Sequence, residues 1–137
     1  MIVVDTNVWS ELAKLEPNTR VVDWELASAS RLRMSTVALA EWRAGAALMP
    51  FGRNRDALSA IIEAVVDRYA DRVLPFDAEC SRWYGLVLAD ARASGKPIAT
   101  ADAMIAATAR AHGMIVATRD LNDFAGAGVD LIDPWAS

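Results

Sequence analysis

Met1-Ile2-Val3-Val4-Asp5-Thr6-Asn7 is the segment from which the fold can be read. Consecutive β-branched apolar residues fit a short strand buried on both faces, the pattern of a parallel sheet covered by helices, and the run stops abruptly at a carboxylate. Outward from it, similar short runs predict strands over Arg31 to Ser35, Val73 to Phe76 and Met114 to Ala117, with a weaker fifth over Val129 to Ile132. Helical patterns separate them. Asn18 or Thr19 to Ser28 reads as a short helix, and Thr36 to Met49 as an alanine-rich one capped by Ser35 or Thr36 and ended by Pro50. From Asn54 to Arg72 the residues Leu58, Ile61, Ile62, Val65, Val66 and Tyr69 fall on one helical stripe. Asp77 to Ser94 starts at a capping aspartate and stops at Gly95-Lys96-Pro97, while Thr100 to Ala111 starts at a capping threonine and ends at His112-Gly113. Alternating strands and helices imply parallel pairing through crossovers, hence a three-layer α/β domain occupying residues 1–137 as one unit.

Bulk composition agrees. A 137-residue chain that is 54% hydrophobic and 23% charged, with net charge -4, suits one compact core and excludes a disordered chain. Cys80 is the sole cysteine and His112 the sole histidine, which excludes an intrachain disulfide and a Cys/His zinc site. The first residues lack the basic flank and long apolar run of a signal peptide, and no other apolar run reaches the length of a membrane span. The cytoplasm is the expected compartment. An acidic chain offers no broad electrostatic surface to nucleic acid, so any such activity must rest on a local site.

Asp5 ends the first strand, and Asp120 stands three residues past Ala117, the end of the fourth. Ligands of open parallel sheets bind in the crevice beyond the carboxyl ends of the strands, and both aspartates are placed there. Glu41 lies about a turn and a half into the helix after strand two, and Asp102 in the first turn of the helix from Thr100. Helices that follow strands begin at the same edge. Four gathered carboxylates repel by ~3 kcal/mol per close pair, with an effective dielectric of about 20 at about 5 Å, so a cation must offset them. With no thiolate or imidazole at hand, an all-oxygen site selects a hard ion, Mg²⁺ or Mn²⁺, which suits phosphodiester hydrolysis. Asp102 and Asp120, taken singly, are also ordinary helix-start acids. Glu41, in an apolar surround, is harder to explain in that way, and Asp5 is the hardest, because an acid at the end of a buried strand rarely helps packing.

These stretches, with Ser35-Thr36-Val37-Ala38-Leu39-Ala40-Glu41, Asp102-Ala103-Met104-Ile105-Ala106-Ala107-Thr108-Ala109 and Ala117-Thr118-Arg119-Asp120, resemble the PIN domain, and within it the VapC toxins including the FitB-like group. The likeness spans essentially the whole chain, and the ordered set is specific where each motif alone is weak. It implies a parallel five-stranded sheet flanked by helices, and cleavage of RNA with Mg²⁺ or Mn²⁺ held by Asp5, Glu41, Asp102 and Asp120. The Thr6 and Thr118 hydroxyls match groups that orient those acids, and Asn7 belongs to the same motif. The resemblance also implies a homodimer silenced by a VapB-like antitoxin, with DNA reached only through that partner. Asp123 is an extra carboxylate, a candidate for a second metal whose plainer explanation is a solvated helix surface.

Arg119, fixed beside Asp120, is the best candidate for gripping a substrate phosphate. Arg31, Arg33, Arg43, Arg53 and Arg55 are read as solvated surface, His112 as a helix-end residue, and Cys80 as a small apolar side chain. Trp9, Leu12 and Trp24 on two early helices suggest an apolar groove for an amphipathic antitoxin segment. Two other classes compete with the nuclease reading. A phosphoacceptor signalling module fits badly, since it needs adjacent acids after strand one and an acceptor Asp ending strand three, where Pro75-Phe76 stands. A PIN fold that binds without cutting conflicts with the intact acidic quartet.

Overall fold

The computed structural model describes residues 1–136, and its centre is a five-stranded, all-parallel sheet in the order β3-β2-β1-β4-β5. The strands are β1 (Ile2–Val4), β2 (Leu32–Ser35), β3 (Val73–Leu74), β4 (Ile115–Ala117) and β5 (Leu131–Ile132). The helices α1 (Thr6–Leu12) and α2 (Thr19–Ser28) connect β1 to β2, α3 (Thr36–Ala47) and α4 (Arg53–Arg68) connect β2 to β3, and α5 (Ala78–Ala93) and α6 (Thr100–Ala111) connect β3 to β4. Successive residues of β1 face opposite sides, yet Ile2, Val3 and Val4 are all at most 1% exposed, so helices cover both faces. The expected three-layer architecture is present.

Strand order reverses at β1. The chain moves from β1 outward through β2 to β3, then returns to place β4 on the other side of β1. The crevice between the carboxyl ends of β1 and β4 is therefore the topological switch point, where such sheets bind their ligands. β3 is an edge strand ending at Leu74, so Pro75-Phe76 cannot present the acceptor group of a receiver, whose third strand is central.

Several element boundaries move. β3 is two residues long, because Pro75 has no N–H to donate and ends the pairing that was expected to reach Phe76. The helix expected over Asn54 to Arg72 is α4 followed by a 3-10 turn, Ala70–Arg72, with Tyr69 at the junction and fully buried. The helix expected to reach Met49 stops at Ala47. Thr100 does not cap α6: the cap position is Ala99, and Thr100 is already helical. Other caps behave as read, with Asn18 Oδ1 accepting from Arg20 N at 2.9 Å, Ser35 Oγ from Ala38 N at 3.0 Å and Asp77 Oδ1 from Cys80 N at 3.0 Å. No helix among the described residues is long and apolar enough to cross a membrane.

Candidate active site

The β1–β4 register places Val4 beside Ala117, and the Asp5 amide continues the ladder by donating to Ala117 O at 2.9 Å. Asp5 and Thr118 are therefore neighbours at the end of the sheet, although far apart in sequence. The Asp5 carboxylate caps α1, its Oδ1 accepting from Thr6 N at 2.8 Å, and its Oδ2 accepts from the Thr118 hydroxyl at 2.8 Å. That proton assignment follows from the neighbours. Thr118 Oγ1 also lies 3.1 Å from Asp120 N and 3.3 Å from Asn7 Nδ2, groups that can only donate, so both hydroxyl lone pairs are engaged and its one proton goes to Asp5.

Asn7 is fixed in the same way. Its Nδ2 donates to Asp120 Oδ2 at 3.0 Å while its Oδ1 accepts from Arg119 N at 3.4 Å, so the amide clamps the segment after β4 onto the start of α1. On the opposite flank, Thr6 Oγ1 donates to Glu41 Oε1 at 2.7 Å, bringing the exposed Glu41 of α3 to the same edge. Asp102 approaches from the first turn of α6.

Electrostatics tie the acids together. Asp5 is 6% exposed, and burial pushes its carboxyl up against the lowering effect of the Thr118 and Thr6 hydrogen bonds, with Glu41 and Asp120 adding repulsion. Asp102 is pushed up to about 6, first by burial and then by the charges of Asp5, Asp123, Glu41 and Asp120. All five acids thus share one neighbourhood. Among the described residues no lysine or arginine pairs with any of them. Nor are any three drawn together closely enough to form a ready-made cation site.

The donors are all oxygen, unneutralised by protein cations and held by hydroxyls and an amide. This chemistry fits a hard divalent ion and fits no soft one.

Residues 2–128 match the PIN domain family. The chain belongs to that family. This PIN domain is 48% identical over 137 residues to VapC ribonuclease Y4jK of Sinorhizobium fredii, the alignment covering 98% of each chain. It superimposes on the crystal structure of FitAcB from Neisseria gonorrhoeae with a TM-score of 0.91, at 40% identity and over 100% of both chains. Against the structure of FitAB bound to an IR36 DNA fragment the TM-score is 0.90, at 41% identity, covering 98% of this PIN domain and 96% of the other chain.

Two hollows meet at the Thr6, Ser10 and Lys14 side of α1. One runs toward Glu41, Trp42, Gly45 and Leu58, and the other toward Asn7, Glu11, Arg119 and Trp135. Ser10, Lys14 and Trp135 escaped the sequence reading. Thr6 and Ser10, four residues apart, share one face of α1, and Lys14 follows just past its end, a usable signal for the first two. Trp135 carried none, because its contact with Arg119 is purely tertiary. The expected apolar groove exists between α1, α2 and α4, lined by Trp9, Leu12, Pro17, Val22, Val65 and Tyr69. Trp24, expected on it, is instead buried, and its indole Nε1 finds no acceptor among the described residues. His112 is exposed at the C-terminal end of α6.

Proposed function

We propose that this chain, as one PIN domain over residues 1–137, is a divalent-metal-dependent endoribonuclease and the toxin of a VapBC-type pair. What supports the reading is that Asp5, Glu41, Asp102 and Asp120 act on one another's charge near the carboxyl edge of the sheet, with no protein cation paired to any of them among the described residues. The 48%-identical relative named as a VapC ribonuclease supports the activity. Asp5, Glu41, Asp102 and Asp120 would hold Mg²⁺ or Mn²⁺, with Asp123 within electrostatic reach. A bound ion of this kind supplies an activated water and charge stabilisation at a phosphodiester.

The chain's own residues do the positioning. Thr118 and Thr6 each spend a hydroxyl proton on an acid, Asp5 and Glu41 respectively, turning carboxylate oxygens into fixed acceptors. Asn7 holds Asp120 and the Arg119 backbone together, so Arg119 projects beside the acids, where it meets substrate phosphate.

The partner is a VapB-like antitoxin, in keeping with the likeness to FitAcB and FitAB. Its amphipathic segment occupies the groove between α1, α2 and α4, the toxin forms a homodimer, and DNA is bound through the antitoxin. Incubation of the purified protein with defined RNAs tests the activity. Internal cleavage is expected with Mg²⁺ or Mn²⁺ and is abolished by EDTA, while Asp5→Ala reduces it by at least about 100-fold, as removal of a central charge-stabilising group does. Cleavage by Asp5→Ala at the parent rate would overturn the site.

A further inference from the structure

The acids cannot by themselves attract a polyanion. A strand of RNA brings a phosphate every nucleotide, so the phosphates flanking the cut approach a strongly negative edge and need a positive group nearby. The hollow on the Asp120 side supplies it. This cavity of about 420 Å³ is lined by Thr6, Asn7, Ser10, Lys14, Arg119 and Trp135, with Glu11 also on its wall.

Arg43, Arg68, Arg72, Arg82 and Arg110 each pair with an acid, whereas the Arg119 guanidinium, like those of Arg20, Arg31, Arg33, Arg53, Arg55 and Arg92, forms no ion pair among the described residues; of these unpaired arginines only Arg119 lines the hollow beside the acids. It lies instead over the half-buried Trp135 ring, 5.0 Å from the centroid. A contact of this kind steadies the guanidinium without using its N–H donors, which stay free for a phosphate. Lys14 spends one donor on Glu11 Oε1 at 2.9 Å and keeps two. Glu11 cancels one of the two cations, so the hollow carries a surplus of one positive charge. The hollow toward Glu41 shares Lys14 but adds Trp42, Gly45 and Leu58 and no arginine.

None of Asp5, Glu41, Asp102 or Asp120 lines the Arg119 hollow; it reaches them only through Thr6 and Asn7, which donate to Glu41 and Asp120. A phosphate held there lies beside the carboxylates and not on them. We propose that Arg119, steadied by Trp135 and joined by Lys14, forms a subsite for the RNA phosphate neighbouring the one that is cut, with Trp135 as a positioning residue. Lys14 and Arg119 lie within the PIN-domain match, and Trp135 lies beyond its end at residue 128. The inference rests on the ribonuclease reading.

Its test is the affinity of the intact protein for a labelled single-stranded RNA in EDTA, measured by fluorescence anisotropy across a salt series, alongside cleavage with Mg²⁺. Arg119→Ala is expected to weaken binding by about tenfold, as for a charged hydrogen bond, and to lower the slope of log affinity against log salt by about 0.7. Trp135→Leu keeps the charge, so the slope is retained while affinity falls by about threefold or more, and Trp135→Phe restores most of it. Parent-like affinity and slope in both Arg119→Ala and Trp135→Leu, in a protein that cleaves RNA, would overturn the subsite alone. A Trp135→Leu variant with a lower Tm but unchanged RNA affinity would reduce the contact to packing and overturn it too. If the parent neither binds nor cleaves RNA, the ribonuclease reading falls with it.

Discussion

At the scale of single residues, Thr118 shows how a buried hydroxyl can govern several charges. Its oxygen accepts from Asp120 N and Asn7 Nδ2 and its proton goes to Asp5, so removing it frees two acids and leaves one of them, the buried Asp5, short of a partner. Thr118→Val is expected to slow RNA cleavage by about 10- to 100-fold, the usual cost of losing a group that orients a ligand, while Thr118→Ser retains most of the rate. Cleavage assays on both variants decide this; equal loss in both would shift the cause to packing of the methyl group. Asp102 makes a prediction about pH. A carboxyl whose folded pKa is raised binds more protons in the folded chain than in the unfolded one, so stability falls as pH climbs from the ordinary 3.8 through about 6 and levels off above. Asp5, also raised, acts in the same direction, whereas Glu11 and Asp77 are lowered and lose their contribution only on further acidification. In EDTA, thermal melts should therefore show Tm falling between about pH 4.5 and 6.5, and Asp102→Asn should flatten that slope. An unchanged slope in Asp102→Asn would remove Asp102 from the cluster.

At the scale of elements, the site depends on where helices begin. α3 starts at Ser35, whose hydroxyl accepts from Ala38 N at 3.0 Å, and this fixes the turn that carries Glu41 to the sheet edge. Ser35→Ala is expected to cost about 1 kcal/mol in a denaturant melt, the loss of a helix cap, with a larger effect placing Ser35 in the 0%-exposed core network instead. α6 depends on small residues. Ala103, Ala106 and Ala107 are 0% exposed where the helix packs on β1, β4 and α5. Ala106→Leu should destabilise by about 1–3 kcal/mol through overpacking, and a melt at parent stability would mean the interface has slack.

At the scale of the whole molecule, the sheet order sets up two working surfaces. The switch point gathers the acids, while α1, α2 and α4 enclose the groove proposed for the antitoxin. Beneath that groove Tyr69 donates to Glu25 Oε1 at 2.9 Å; burial, and then this contact with the carboxylate, push the phenol up to about 12. The Tyr69 phenol therefore stays protonated across physiological pH. Val22, half-buried on its wall, is a suitable probe: Val22→Lys is expected to weaken antitoxin capture by at least about tenfold in a binding titration, since a charge is set into an apolar contact. Undiminished capture would move the antitoxin to another surface.

Local sequence was enough for the strands, the helices and the edge on which the acids stand. Ile2 to Val4 reads as a doubly covered strand, and the acids after it and after Ala117 are placed at the carboxyl rim of a parallel sheet, where the β1–β4 register puts Asp5 beside Thr118. Strand order, the proton carried from Thr118 to Asp5, the clamp from Asn7 to Asp120 and the seat of Arg119 on Trp135 needed the folded chain. The division has a physical cause. Periodicity and capping act within a few residues and leave their mark on the sequence, whereas hydrogen bonds between groups more than a hundred residues apart depend on a register that only packing fixes.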